Sequence, residues 1–566
     1  VNEAKAVLDF LNELLWASPS DFPFMVVFLL GTGIFLTLRL GFLQLRKLGH
    51  SVKVIMGAYD DPEHPGEVSH FHALSAALSA TVGIGNIAGV ALAVHYGGPG
   101  ALFWMWVTAF LGMATKYTEC TLALRYRKVE DGVAAGGPMY YMKYGLGNLG
   151  HGVGKFFTFM APVFAVSAVI AAMGIGNSIQ ANTLADAMHS SFAIPTVVTG
   201  LVSTAIVGAV ILGGIKRIAS ASVVIVPLMA FIYVGGSLLI LGLHYDAVPG
   251  AFLEIITGAF NPPAAIGGFA GSTFIMTMLW GVKRGLFSNE AGQGSSPIAH
   301  AAARTDKPVR EGVVALMEPF IDTIIICTMT GLVIVATGVW KEKKDESLNL
   351  GARDNLVFFK ADADLGPGAA LDPAAKLDLL TITAGSPQAQ LLRNNSIVDH
   401  PRFTLADGKA FTGTLRFVGD QPTYADAAGL PVPSAQVTYS GATLTRGAPL
   451  TAFAFDRGLD FMYPWGGYLV AISILLFAIS TAISWSYYGD RCMHFLFGPK
   501  SVLPYRIVYL IVHFLGAIFS LELVWAFGDF ANAMMALPNL VAILLLSGKV
   551  AHMSKDYFAE MKRGKK

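Results

Sequence analysis

Charge is what this sequence has least of. Only 14% of its 566 residues are Asp, Glu, Lys or Arg, where soluble domains carry roughly 25%. So few charges cannot cover a water-facing surface. The 54% hydrophobic content and mean hydropathy of +0.57 place the chain in lipid. A basic excess is also missing: the net charge of +1 argues against a nucleic-acid partner, whose phosphates call for one. Cysteine is scarce as well. Cys120, Cys327 and Cys492 are too scattered for a disulfide framework or metal-ligand spacing and read as small packing residues. The opening segment "VNEAKAVLDFLNELLWASPSDF" lacks a basic region ahead of an apolar core, so it is not expected to be a cleaved signal peptide. Val7, Leu8, Phe10, Leu11, Leu14 and Leu15 recur in it at helical spacing, which predicts a short amphipathic surface helix over residues 1–20.

What is present in abundance is the long apolar run. A membrane-crossing helix needs about 20 mostly apolar residues, and about eleven candidate runs satisfy that count. They lie near Phe22–Leu38, His72–His95, Ala101–Leu124, Phe156–Ala187, Thr196–Leu212 and Ala219–Leu243. The others lie near Phe269–Gly285, Val313–Trp340, Gly467–Tyr488, Arg506–Leu523 and Trp525–Leu546. Lys and Arg concentrate in alternate connections, among them Arg46 and Lys47, Arg125 and Arg127, Lys216 and Arg217, Lys283 and Arg284, Arg491 and Lys500, and the tail "KRGKK". The positive-inside rule then predicts an outer N-terminus, a cytoplasmic C-terminus and an odd number of crossings.

The expected organisation is a segment 1–20, membrane helices 1–8 over residues 21–340, an insert over 341–457, and helices 9–11 with the tail over 458–566. The insert turns polar, with strand-like stretches such as "AQVTYSGATLTRG" between Gly and Pro turns. It reads as a small β-rich extracytoplasmic domain, with a disordered insert as the alternative.

Glycine appears where a membrane helix wants it least. The second run carries "TVGIGNIAG" and the seventh "LWGVKRGLFSNEAGQGSSP", with Gly281, Gly285, Gly292 and Gly294. Setting the first run aside leaves ten, divisible into five and five. A five-helix unit inserts its second copy upside down, and transporters built so bind substrate and ions at broken helices in matching positions. Freed carbonyls offer oxygen ligands to a small cation, and helix N-terminal amides offer donors to an anionic group. A zwitterionic amino acid plus a cation matches that pair of offers. The alternative is that these glycines only permit close helix packing.

Further polar residues converge on the same idea. Asn177, Ser178, Gln180 and Asn182 follow the apolar part of the fourth run, and Thr481, Ser484 and Trp485 lie in the ninth. Thr481 and Ser484 hydroxyls can complete a cation shell, and the Trp485 indole can wall a pocket and offer one N–H donor. Each also has a plain reading, a hydroxyl bonded to its own helix or an interfacial Trp. Ionisable residues in apolar runs are functional candidates by default. Lys116 and Glu119, three apart, are spaced so that they could pair on one helix face, and read as gating or helix-anchoring groups. Glu318 and Asp322, four apart near one end of the eighth run, read as gating or anchoring groups, with proton coupling as the alternative.

The stretches "SATVGIGNIAGVALAV", "RGLFSNEAGQGSSPIAHAAA" and "WSYYGDR" closely resemble the alanine or glycine:cation symporter family, also called sodium:alanine symporters. The resemblance covers all the apolar runs. It implies an all-α polytopic membrane protein of about eleven helices, a leucine-transporter-like five-plus-five inverted repeat with an extra first helix. It implies sodium-driven uptake of alanine, glycine or both by alternating access in a prokaryotic plasma (inner) membrane. No cofactor beyond the coupling sodium is implied, and no enzyme activity. By motif, Gly83, Gly85, Asn86, Gln180, Thr481 and Trp485 would line the substrate site, and Val82, Thr481 and Ser484 would hold sodium. Asn289 and Glu290 belong to the family motif as ligand contacts or gate braces. The insert departs from the family pattern and leaves room for a protein partner there. The competing readings are a proton-coupled transporter, a channel, or a non-transporting sensor that uses the insert.

Overall fold

A computed structural model describes residues 7–8, 10–19, 23–130, 133–261, 273–348, 356–363, 375–393, 396–418, 421–519 and 521–563. The start of the seventh run, parts of the insert and the last three residues of the basic tail lie outside them.

Every expected apolar run has a helix within its span. In chain order they begin with α1 (Phe24–Arg39), then α2 (His70–Thr81) and α3 (Ala88–Gly97), which share the second run, and α4 (Gly100–Tyr126). A small antiparallel hairpin follows, β1 (Lys128–Glu130) with β2 (Val133–Ala135). The fourth run is α5 (His151–Met173) and α6 (Ile179–Phe192), joined by a wide π turn over Gly174–Ser178. Next come α7 (Thr196–Ile211), α8 (Gly214–Leu243), α9 (Val248–Gly258) and α10 (Phe274–Asn289). The eighth run holds α12 (Pro308–Ala315) and α13 (Thr328–Ala336), after the short α11 (Ser296–His300). After the insert stand α14 (Gly447–Gly458), α15 (Trp465–Phe497), α16 (Val502–Gly516) and α17 (Leu521–Lys562). Among the described residues, five helical stretches are long and apolar enough to cross a membrane, or six with the bent second run counted as one. Shorter apolar helices, α1, α7 and α9, accompany them. α4 is 27 residues long but carries Lys116 and Glu119 within it.

Large apolar side chains point outward from these helices, for example Phe159, Leu201, Phe231 and Ile511. Small and polar residues fill the inside: Ala76, Ala77, Ser79, Ala80 and Thr81 of α2 are all buried. In water that distribution would be inverted. In lipid, small inward residues let helix backbones approach closely.

The glycines of the seventh run divide into two kinds. Gly281 and Gly285 lie inside the unbroken α10, where an added Cβ at Gly281 would meet the Ala101 carbonyl of α4 at 2.4 Å. They are packing glycines and do not interrupt the helix. The interruption is the segment after α10, where Gly292 and Gly294 take positive φ of 92° and 81° before α11 starts. Lys283 and Arg284 also sit within α10, and both contact Asp529 of α17. They are therefore not loop charges of the kind that the positive-inside count assumed.

The insert is β-rich. β3 (Lys343–Leu348), β10 (Asp399–Leu405) and β14 (Val437–Leu444) form one antiparallel sheet. β4 (Leu356–Phe359), β5 (Lys376–Leu377), β8 (Gln390–Arg393) and β9 (Ser396–Ile397) form a second. β6 (Leu379–Thr383), β7 (Ser386–Pro387), β11 (Gly413–Val418), β12 (Gln421–Asp426) and β13 (Pro431–Val432) form the third. In β14 burial alternates from Val437 to Thr443, as a strand with one covered face requires. Leu356, Phe358, Leu380, Ile382, Phe403, Leu415 and Tyr439 pack into a core separate from that of the helices. The strands end at Leu444. The following helix α14, grouped with the insert on composition, packs its Leu450, Ala454 and Phe455 into the helical core.

At the N-terminus the expected surface helix is partly described. Phe10 and Leu14 are exposed, while Trp16 is buried and its indole donates to the Asp529 carbonyl at 3.0 Å. The segment is thus docked on α17.

Candidate functional site

The site begins with the break in the second run. α2 is capped at its start by Ser69, whose hydroxyl accepts from the His72 amide, and ends at Thr81. The chain resumes after Gly83 at an angle of 58° to its first half. Bare backbone inside a membrane protein must find partners, because each unsatisfied group costs several kcal/mol. The Gly83 amide donates to Asn86 Oδ1 at 2.9 Å, and the Ile84 amide to Gln180 Oε1 at 3.4 Å. Thr481 Oγ1 donates to the Val82 carbonyl at 3.5 Å, at the long edge of hydrogen bonding. The Asn86 carbonyl accepts from Thr330 Oγ1 at 2.7 Å, and the Ile87 carbonyl from Thr451 Oγ1 at 3.1 Å.

Glycine is needed at the break for space. A Cβ on Gly83 would stand 2.5 Å from Thr481 Oγ1, and one on Gly85 would stand 3.0 Å from Phe287. The same holds in the π turn, where a Cβ on Gly176 would stand 2.1 Å from the Trp485 ring. Gly176 therefore makes room for the indole, a role that the polar stretch around it concealed.

Asn86 is the junction. Its Nδ2 donates to Asp322 Oδ1 at 2.6 Å and to the Asp322 carbonyl at 3.1 Å, and lies 3.3 Å from Cys327 Sγ. Asp322 also accepts from Ser288 and Thr323, each at 2.7 Å. Asp322 thus belongs with the break and not with Glu318, from which sequence spacing had not separated it. Ser288 and Thr330 are members of this cluster that sequence reasoning missed. Only their place at the head of "SNEAGQGS" or in a Thr-rich apolar run could have marked them.

Trp485 and Glu290 form a second junction. Trp485 Nε1 donates to Glu290 Oε1 at 2.9 Å, and Ser295 donates to the other carboxylate oxygen. The indole N–H expected to be offered to a ligand is therefore engaged by Glu290. Asn289 turns back on its own loop, accepting from the Ala291 amide at 3.0 Å, and its Nδ2 lies 3.4 Å from Thr323 Oγ1. Ser484, one turn after Thr481 on α15, is buried, and its hydroxyl has no hydrogen-bond partner among the described residues.

A profile of the sodium:alanine symporter family matches residues 1–354 and 429–566. The chain belongs to the sodium:alanine symporter family. The match skips residues 355–428, the middle of the β insert. The sodium/alanine symporter AgcS of Methanococcus maripaludis is 40% identical, over 98% of this chain and 97% of its own length. A protein of Bacillus subtilis named putative sodium/proton-dependent alanine carrier protein YrbD is 31% identical, over 98% and 92%. The probable sodium/glutamine symporter GlnT of the same organism is 30% identical, over 99% and 92%. This sodium:alanine symporter family member is a multi-pass membrane protein and a transporter, not an enzyme.

Away from the break, this symporter carries a chain of fully buried ionisable groups. Lys116 Nζ reaches Glu318 at 3.0 Å and also contacts Ser296. Glu318 meets His300 Nε2 at 2.6 Å, and Glu311 bridges His300 and His70. The pair that the spacing of Lys116 and Glu119 allows does not form. Asn539 of α17 donates to Glu119 instead, while Lys116 turns to the eighth run. Three residues apart permits a pair, but each side chain finds its partner on another element, Lys116 the Glu318 carboxylate and Glu119 the Asn539 amide. Five elements, α2, α4, α11, α12 and the segment carrying Glu318, are tied by this chain.

Proposed function

We propose that this protein is a secondary symporter that couples inward sodium flow to uptake of a small neutral amino acid, alanine or glycine, by alternating access. The observation that carries the reading is the broken helix at Val82–Gly83. Its freed carbonyl lies within reach of the Thr481 hydroxyl, with the unpartnered Ser484 hydroxyl one turn along. Sodium is held by the Val82 carbonyl, Thr481 and Ser484, a set of hard oxygen ligands. The amino acid lies against Gly83, Gly85, Asn86, Gln180 and Trp485. Thr481 and Phe287 crowd Gly83 and Gly85, and a pocket closed in this way selects alanine and glycine by steric exclusion of larger side chains. Sodium orders the break and so creates the substrate site.

The proposed architecture is eleven crossings with a five-plus-five inverted repeat after α1. The second and seventh runs are its paired broken helices, and the insert is an extracytoplasmic domain open to a protein partner. The C-terminus faces the cytoplasm and the N-terminus the outside of a prokaryotic inner membrane. An inward-negative potential of 100 mV supplies about 2.3 kcal/mol per charge, enough for about fifty-fold accumulation before any sodium gradient is added. Asn289, Glu290 and Glu318 brace the gate.

One observation favours a second reading, with a proton as the coupling cation: the buried Asp322 carboxylate touches Asn86. Uptake of labelled alanine into proteoliposomes under sodium, lithium or proton gradients alone separates the two. Saturable uptake against a gradient with sodium only supports the proposal. Uptake that persists without sodium under a pH gradient makes the proton the coupling ion.

A further inference from the structure

On the side of the bundle that carries the insert, a cavity of about 400 Å³ opens between α6, α14, the start of α15 and β3. This volume lies in the range of small-molecule sites, roughly 300–1,000 Å³. Its walls carry charge of both signs. Asp186 and Asp456 supply carboxylates and Lys344 an ammonium, with Tyr463 and Tyr468 as aromatic wall. The opposite charges do not neutralise each other by contact. Lys344 stands 5.6 Å over the Phe453 ring and Asp456 accepts from the Gly467 amide at 2.6 Å. Asp186 has no hydrogen bond or ion pair among the described residues. A ligand with an ammonium and a carboxylate on one carbon matches walls that carry both signs.

The cavity shares its helices with the break. Asp186 follows Gln180 on α6, roughly 9 Å further along the axis, and Ile474 of the floor precedes Thr481 on α15 by roughly 10 Å. Ala448 and Ala452 flank Thr451, which holds the Ile87 carbonyl. The cavity therefore lies over the break on the insert side, outside the crowding that limits side chains there.

We propose that this cavity is a second binding site for a zwitterionic α-amino acid, with its ammonium between Asp186 and Asp456 and its carboxylate on Lys344 of the insert. It takes side chains larger than a methyl group. The ligand class rests on the symport reading, and the place rests on the cavity.

Thiol protection tests it. The three native cysteines are buried, so Ser190→Cys in the full-length protein introduces a reactive thiol on the cavity wall. A methanethiosulfonate reagent is then timed with and without alanine or leucine at saturating concentration. Both amino acids are expected to slow labelling at least fivefold, leucine the more, whether Asn86 is intact or replaced by Ala. Lys344→Ala, and separately Asp186→Asn, abolish the protection. The proposal is overturned if labelling ignores both amino acids, if the thiol is unreactive throughout, if protection survives both cavity variants, or if protection disappears with Asn86→Ala. Failure of the symport reading looks different: proteoliposomes would show no sodium-driven alanine uptake while the protection pattern stayed intact.

Discussion

Asn86 Nδ2 and Asp322 Oδ1 meet at 2.6 Å, although 236 residues separate them in the chain. The contact joins the break in the second run to the eighth, and both residues are fully buried. It makes the break a supported structure and sets what each substitution nearby should do.

Asn86→Ala removes the partner of the Gly83 amide and the donor to Asp322 together. Leaving a buried polar group unsatisfied costs about 1–3 kcal/mol, or roughly five- to 150-fold in an equilibrium. Sodium-driven alanine uptake should fall at least tenfold in proteoliposomes, while the protein still inserts and purifies. Unchanged uptake kinetics would remove Asn86 from the site.

Gly83→Ala drives a Cβ to within 2.5 Å of Thr481 Oγ1. Overpacking of this kind costs typically about 1–3 kcal/mol. Uptake should drop more than tenfold, and adding Thr481→Ser should not restore it, because the hydroxyl remains. Wild-type uptake by the single variant would show that the break moves freely.

Ser484→Ala removes a buried hydroxyl that no described residue satisfies. The sodium concentration for half-maximal uptake should rise at least threefold, with the alanine KM at saturating sodium little changed. Sodium titration of uptake measures both. An unaltered sodium dependence would take Ser484 out of the proposed shell.

Lys116→Met takes the ammonium from the fully buried Glu318 carboxylate and leaves it His300 as its basic partner. Breaking a buried pair from one side costs about 3–5 kcal/mol, so thermal unfolding in detergent should shift down sharply. Lys116→Met combined with Glu318→Gln should recover part of that loss. Equal melting temperatures for the single variant and wild type would mean that the pair adds nothing.

His50, on the short helix Leu48–Ile55 between α1 and α2, is pushed down to about 4 by burial first, then by Lys47, Lys53 and Arg310. The unfolded chain takes up a proton on this ring at a higher pH than the folded one does. Its contribution is therefore present above about 6.5 and lost as pH falls from there towards 4. His50→Gln should flatten the pH dependence of unfolding in that window. An identical slope in both proteins would assign the acid sensitivity elsewhere.

The membrane class, the positions of the helices and the β-rich insert were legible in the chain, because each follows from local pattern. Runs of apolar residues, a collapse of hydropathy after Lys341 and strand alternation need no distant contact. The weakness at "TVGIGNIAG" was legible for the same reason, since Gly and Asn there defeat a helix by their own properties. Partners were not. Lys116 could as well have paired with Glu119, and Gly281 and Gly285 looked like the breaks at Gly292 and Gly294. Whether a glycine interrupts a helix or lets a neighbour approach depends on what lies opposite, here the Ala101 carbonyl. Likewise, only the folded chain brings Asp322 to Asn86, Glu290 to Trp485 and Lys344 over the cavity. Sequence spacing orders the faces of one helix, and the choice between helices belongs to packing.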